Sequence, residues 1–272
     1  MRPLEQSLIA KTGRLDDCED GLVCTNAFAA VIDGATDKTG RRFNGLTSGR
    51  YAMQVVAEAL TTLAPSTDHT NAVVALTQAL ADSLPRELAA EDRPAAVATV
   101  YSVSRREVWQ IGDVGYWFEG LATADRSSNR KVVDDIAIAM RAAVLTAALL
   151  RGISQEDLAV NDIGREAILP LLRSQWAFSN NLAAGHLAYG VLNGLPVPPE
   201  LVTAVQVPEA VQELVIASDG YPRIFPTLAQ TEEYLAVLMA KDPLCMGPLA
   251  GTKGLRPGAV GYDDRAYLRI EL

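Results

Sequence analysis

Acids stand at the ends of apolar runs throughout this chain. Asp33 follows Ala29-Ala30-Val31-Ile32 and is followed by Gly34; Leu214 to Ala217 runs into Ser218-Asp219-Gly220; Ile111 runs into Gly112-Asp113; Asp263-Asp264 stand just before the last apolar stretch. A Glu19-Asp20 pair precedes the first of these runs. In a mostly antiparallel sandwich such ends can converge on one edge, where glycine lets the backbone turn tightly and exposes its carbonyl as a further oxygen ligand. Clustered carboxylates repel one another unless cations hold them together. Mg²⁺ or Mn²⁺ suits an oxygen-rich site of this kind, and two ions sharing a carboxylate can activate a bridging water for attack on a phosphoryl group. Any one Asp-Gly is more often a turn than a ligand. The recurrence and order of the set carry the metal reading.

Other chemistries have less to stand on. The two histidines, His69 in "STDHTN" and His186 before an apolar run, are too few for a His-based zinc site or triad and read as structural or solvated. Cys18, Cys24 and Cys245 form no C-x-x-C pair, cannot all pair within the chain and have no base partner, which argues against structural zinc, a disulfide scaffold and thiol catalysis. They fit a reducing compartment. Trp109, Trp117 and Trp176 read as packing, and "SSNRK" with Arg126, Arg130 and Lys131 as a solvated helix start rather than a phosphate site. With 33 acidic against 24 basic residues, the net charge of −9 disfavours nucleic acid and anionic membrane as partners. "MRPLEQSLIAKTG" lacks the apolar core of a signal peptide, and the most apolar stretch, Ile136 to Leu150, is short and carries Arg141. The expectation is a soluble, cytoplasmic protein.

The elements that must position the acids follow from periodicity. At 272 residues and 49% hydrophobic content the chain can bury a large core, and the expected organisation is one domain, 1–272, with an insertion. Phe28 to Ile32 reads as a buried strand. "SGRYAMQVVAEALTTLAP" reads as a helix capped at Ser48, with Tyr51, Val55, Val56, Ala59, Leu60 and Leu63 on one face, and Asn71 to Leu84 as a second helix. Val97 to Val103, Val108 to Ile111 and Val114 to Phe118 read as a meander of antiparallel strands. Two helical patterns fill the insertion at about 129–178, the second starting after Ser154. Beyond it "HLAYGVLNG", "LVTAVQV", "ELVIASDG" and "RAYLRIEL" read as strands and "TEEYLAVLMAKDP" as a helix.

The ordered stretches "CEDGLVCTNAFAAVIDGAT", "TSGRYAMQVVAEAL", "VATVYSVSRREVWQIGDVGYWF", "ELVIASDGYPRIF" and "GYDDRAYLRIEL" resemble the metal-dependent (PPM-type, type 2C-like) Ser/Thr protein phosphatases, in a divergent, bacterial-like form. The resemblance spans the chain from about Asp16 onward and leaves 125–195 mostly unmatched. It implies an α+β fold, a four-layer αββα sandwich of two antiparallel sheets flanked by helices, with a site for two Mn²⁺ or Mg²⁺ ions. In that resemblance Asp33 bridges the ions and the Gly34 carbonyl ligates one. Asp219 and Asp263 hold the other, and Glu19 or Asp20 reaches the second directly or through water. Asp113 serves, with Asp219, a weaker third ion, and Arg14 lies near the place of the phosphate-binding arginine, about one residue out of step.

The chain also departs from the family pattern. Ala35-Thr36-Asp37 follow Asp33-Gly34 with no histidine to act as a general acid, Asp264 replaces the usual Asn, and Val114-Gly115 follow Asp113 without the usual Ser-Arg. The helical insertion stands where a flap would lie beside the site; its apolar residues suit a partner or dimer contact as well as an internal helical pair. The resulting expectation is a phosphatase acting on phosphomonoesters, of phosphoserine or phosphothreonine in proteins or of a small phosphoester. Metal-activated water is the nucleophile, with Asp33 and Asp219 as catalytic residues. The alternative is a noncatalytic relative that keeps the fold and binds a partner through the insertion.

Overall fold

β3 (Phe28–Gly34) is buried along both faces, and this sets the layering. Ala30 and Ile32 pack on one side with Val56 and Leu60, while Ala29 and Val31 pack on the other with Leu214 and Leu268. Because strand side chains alternate, a strand so covered must lie between a helical layer and a second sheet. The computed structural model describes residues 1–121 and 130–272. Arg126 and Asn129, both in sequence-predicted features, lie outside the described residues.

Two antiparallel sheets form the centre. One has the order β2 (Asp20–Cys24), β3, β6 (Ala96–Ser102), β7 (Glu107–Ile111), β9 (Val202–Gln206); the other runs β1 (Arg2–Ile9), β11 (Arg265–Glu271), β10 (Glu213–Ala217), β8 (Gly115–Phe118). A small hairpin, β4 (Arg42–Phe43) and β5 (Leu46–Thr47), leads into the helices. Helices α1 (Ser48–Thr62) and α2 (His69–Asp82) cover the first sheet through Val56, Leu60, Leu76 and Leu80. Helix α6 (Leu228–Lys241) covers the second through Leu235 and Leu238, against Val215 and Tyr267. The fold is an α+β sandwich of two antiparallel sheets flanked by helices. Among the described residues no helix is long and apolar enough to cross a membrane.

The segment between β8 and β9 holds α3 (Val132–Leu150), α4 (Gln155–Val160) and α5 (Ile163–Ser174), three helices where periodicity separates two. The extra boundary comes from Asp162, whose side chain accepts from Arg165 N and starts α5. Arg141, in the middle of α3 and 1% exposed, stitches this segment to the rest of the chain. Its guanidinium pairs with Asp162 at 2.8 Å and donates to the carbonyls of Leu244, Cys245 and Gly251. The charge in the apolar stretch is therefore a tether.

Other boundaries shift for local reasons. Thr47, not Ser48, caps α1, and Asp68 caps α2, so His69 begins that helix. "HLAYGVLNG" is no strand: Leu182–Leu187 is a 3-10 turn, and only single bridges, Ala96 to Leu192 and Ser179 to Tyr189, tie the stretch to its neighbours. β1 has no counterpart in the sequence reading, since RPLEQSLI lacks strict alternation and pairs on one side alone, with β11.

Candidate active site

The antiparallel register of β2 and β3 sets Asp20 directly opposite Asp33. Both share the parity of Leu22 and Val31, which face the second sheet. The end of β10 contributes Ser218 and Asp219, and the segment before β11 contributes Asp263 and Asp264. Asp20 is 2% exposed; it takes a hydrogen bond from the Ser218 hydroxyl, while its Oδ2 atom is buried with no hydrogen-bond partner. Burial pushes the Asp20 carboxyl well above the usual aspartate range, and Asp263, Asp264 and Asp219 push it further. Asp33 is raised in the same way, by burial and then by Asp20, Asp219, Asp263 and Asp113. Asp20 and Asp33 are each raised by acidic neighbours, which sets Asp219 and Asp263 near both of them, Asp264 near Asp20 and Asp113 near Asp33.

Two backbone contacts fix this edge. A side chain at Gly34 would lie 2.2 Å from the Gly49 carbonyl oxygen, so glycines at both positions let the start of α1 lie against the end of β3. Gly112 has φ +86° and leaves no room beside Val97, and it turns the chain so that Asp113 follows. The buried Thr99 hydroxyl and Gln110 amide both donate to the Val114 carbonyl, holding that turn.

Lysines meet these acids at several points, which sequence reading missed. Lys11 Nζ donates to Asp264 Oδ2 at 2.8 Å and lies 3.5 Å from Glu19 and 3.6 Å from Asp263. Burial disfavours its charge, but Asp263, Asp264 and Glu19 outweigh that and hold the ammonium above the ordinary lysine range. Lys253 pairs with Asp263 at 2.6 Å, and Lys131 with Asp113 at 3.1 Å. Lys131 is thus an ion-pair partner and not merely a solvated helix start. Asp264 also accepts from the backbone of Lys11 and Glu19, so it is a clamp on the loop before β2. These contacts span about 250 residues of chain and leave no periodic trace.

The remaining predicted residues separate. Of the Glu19-Asp20 pair, Asp20 reaches the carboxylate group, while Glu19 accepts from Thr36 and faces Lys11. Arg14 is not brought into it: its side chain is 78% exposed and is held by Asp17. A different set of cations stands nearby. Lys38 donates to the Thr36 carbonyl, and burial, followed by Arg165, Lys253 and Lys131, pushes its amine down to about 8. A cavity beside the cluster is lined by Asp113, Asp219 and Asp263 together with Arg130, Asp134 and Lys253.

The donor set tests the metal expectation. It is all oxygen, from carboxylates with no histidine or thiol among them, and includes a buried carboxylate oxygen that lacks a partner; this chemistry fits a hard divalent cation. Among the described residues no three His, Cys, Asp or Glu side chains already stand around one point as a metal would require.

No family model matches the chain, and no curated protein matches it. Solved structures do resemble it. The serine/threonine phosphatase PstP/Ppp of Mycobacterium tuberculosis is 19% identical, with 98% of this chain and 97% of that one covered and a TM-score of 0.48. The PPM Ser-Thr phosphatase MsPP of Mycobacterium smegmatis, in complex with cacodylate, is 16% identical over 100% of both chains, at 0.47. Stp1, a serine/threonine phosphatase of Staphylococcus aureus, is 12% identical over 99% and 95%, at 0.48. The chain is thus similar to PPM-type Ser/Thr phosphatases, at identities and TM-scores too low for the likeness to establish membership or activity.

Proposed function

We propose that this chain is a metal-dependent phosphatase acting on phosphomonoesters, phosphoserine or phosphothreonine in the first place. One observation carries the reading: the buried, unpartnered Asp20 oxygen, opposite Asp33, among carboxylates whose charge raises both of these carboxyls. Asp20, Asp33, Asp219 and Asp263 would hold Mn²⁺ or Mg²⁺, with the Gly34 carbonyl as a further oxygen, and Asp113 and Glu19 at the margin. When bound, the ions supply a lowered pKa for water and charge stabilisation for a phosphoryl group. The chain's own part is to bind and orient. Lys131, Lys253, Lys38 and Arg165 bring positive charge to the cluster's rim, where Arg14 does not reach, and would receive the phosphoryl oxygens. α3 brings Asp134 and Ile138 to the cavity wall, with Arg130 just before it, where a flap was absent from the sequence pattern, and would shape what enters.

A second reading rests on the lysines. Lys11, Lys131 and Lys253 already neutralise Asp264, Asp113 and Asp263, as they would in a noncatalytic relative that keeps the fold and binds a partner. Hydrolysis of p-nitrophenyl phosphate by chelator-stripped protein separates the two. Activity should return with Mn²⁺ or Mg²⁺ and be lost in Asp33→Asn and Asp219→Asn. Full activity in chelator contradicts metal dependence, and Mn²⁺ binding without turnover supports the noncatalytic relative.

A further inference from the structure

α3 presents a second apolar face that, among the described residues, is left exposed. Its inner face, with Val133, Ala137, Arg141, Leu145 and Ala148, is buried. Ile136, Ala139, Met140, Ala143, Thr146, Ala147 and Leu150 are exposed on the outer side, with Ile136 at 50%, Met140 at 47% and Leu150 at 85%. At about 100° per residue all seven point within roughly 60° of Ala143, along about 21 Å of helix. The pattern is symmetric about that residue: Ile136 and Leu150 are equally far from it, as are Ala139 and Ala147, and Met140 and Thr146. The flanking charges are placed symmetrically too, with the acid Asp135 before it and the base Arg151 after it, both exposed.

We propose that this face binds the same face of a second copy of the chain, antiparallel, with Ala143 against its own counterpart. Two-fold interfaces are self-complementary, so in an antiparallel pair each residue must suit the one equally far on the other side of Ala143, as Ile136 suits Leu150, Ala139 suits Ala147 and Asp135 suits Arg151. Small residues at 139, 143 and 147 let two helices approach closely, while Ile136 and Leu150 of the two copies interdigitate at the ends. Charge selects the orientation. Antiparallel pairing sets Asp135 level with Arg151 of the second copy, and the acidic start of one helix with the basic end of the other; parallel pairing would set like charge on like. Asp135 also meets Arg130 of its own chain, at 3.3 Å, so the charges orient the pair more than they hold it. The apolar face supplies the attraction.

Sedimentation velocity on the full chain over a hundredfold concentration range should show a reversible dimer. Ala143→Glu and Ala143→Lys, each placing like charges face to face on the two-fold, should weaken it at least ~tenfold without lowering the thermal midpoint of dilute protein. An equimolar mixture of the two variants should dimerise again, because the introduced carboxylate meets the introduced ammonium only if position 143 faces its own counterpart. A wild-type chain that stays monomeric throughout, variants that dimerise as wild type does, or a mixture that stays monomeric would each overturn the proposal.

Discussion

Asp20 and Asp33 stand opposite one another across the β2–β3 pair, side chains on the same face, with Asp20 Oδ2 buried and unmatched. Like charges directly opposite in an antiparallel pair destabilise it, so this edge holds strain that a bound cation would relieve. Both carboxyls titrate above the ordinary aspartate value of 3.8 in the folded chain. The folded state therefore binds more protons than the unfolded one from about pH 4 up to those raised values, and the metal-free protein should lose stability as pH rises through that window. Urea unfolding in chelator should give a lower midpoint at pH 7.5 than at pH 5, and Mn²⁺ should raise it more at pH 7.5. Asp20→Asn should stabilise the metal-free protein by ~1 kcal/mol or more.

The Lys11–Asp264 pair makes a contrasting prediction. Asp264 is 3% exposed and takes the Lys11 ammonium together with two backbone N–H groups. Lys11→Met leaves a buried carboxylate without its main counter-charge and should cost about 3 kcal/mol. Adding Asp264→Asn, which keeps acceptor capacity without the charge, should recover much of the loss, read as a double-mutant cycle in urea.

The placement of cations separates Arg14 from the lysines. Arg14→Ala should leave the KM for p-nitrophenyl phosphate within about twofold of wild type, because its guanidinium is engaged by Asp17 and faces solvent. Lys253→Met and Lys131→Met should raise KM by ~tenfold, if each contributes about 1.4 kcal/mol to holding a phosphoryl group. Steady-state kinetics in saturating Mn²⁺ tests both statements.

Arg141 should be needed for stability rather than chemistry. Arg141→Met takes the guanidinium from Asp162 and removes a donor from each of three carbonyls, and should cost about 3–5 kcal/mol in urea unfolding. The same contacts predict that removing the segment from α3 through α5 would loosen residues 244–254, which carry Lys253, and so disturb the cavity wall as well as its lid.

Much of the fold was legible because it is written in local periodicity. Phe28 to Ile32 is apolar on both faces and forms a central strand; the run from Val97 to Phe118 alternates and turns as a meander does. The acids at strand ends were legible for the same reason, since each interrupts a regular pattern. β1 was not, because an edge strand needs little alternation. The lysines could not be read: Lys11 meets Asp264 across 253 residues, and no local pattern marks a charge whose partner is set by the packing of the two sheets. Ser154 and Asp162 show the intermediate case, where a cap residue was visible at one helix start and overlooked at the next.

The central claim, that Asp20, Asp33, Asp219 and Asp263 form one cation site, is tested most directly by Mn²⁺ binding followed by electron paramagnetic resonance on chelator-stripped protein. Stoichiometric, saturable loss of the free-ion signal is expected, with affinity lowered at least ~tenfold in Asp33→Asn and left near wild type in Arg14→Ala. Free-ion signal undiminished by wild-type protein, or equal binding by wild type and Asp33→Asn, would contradict it.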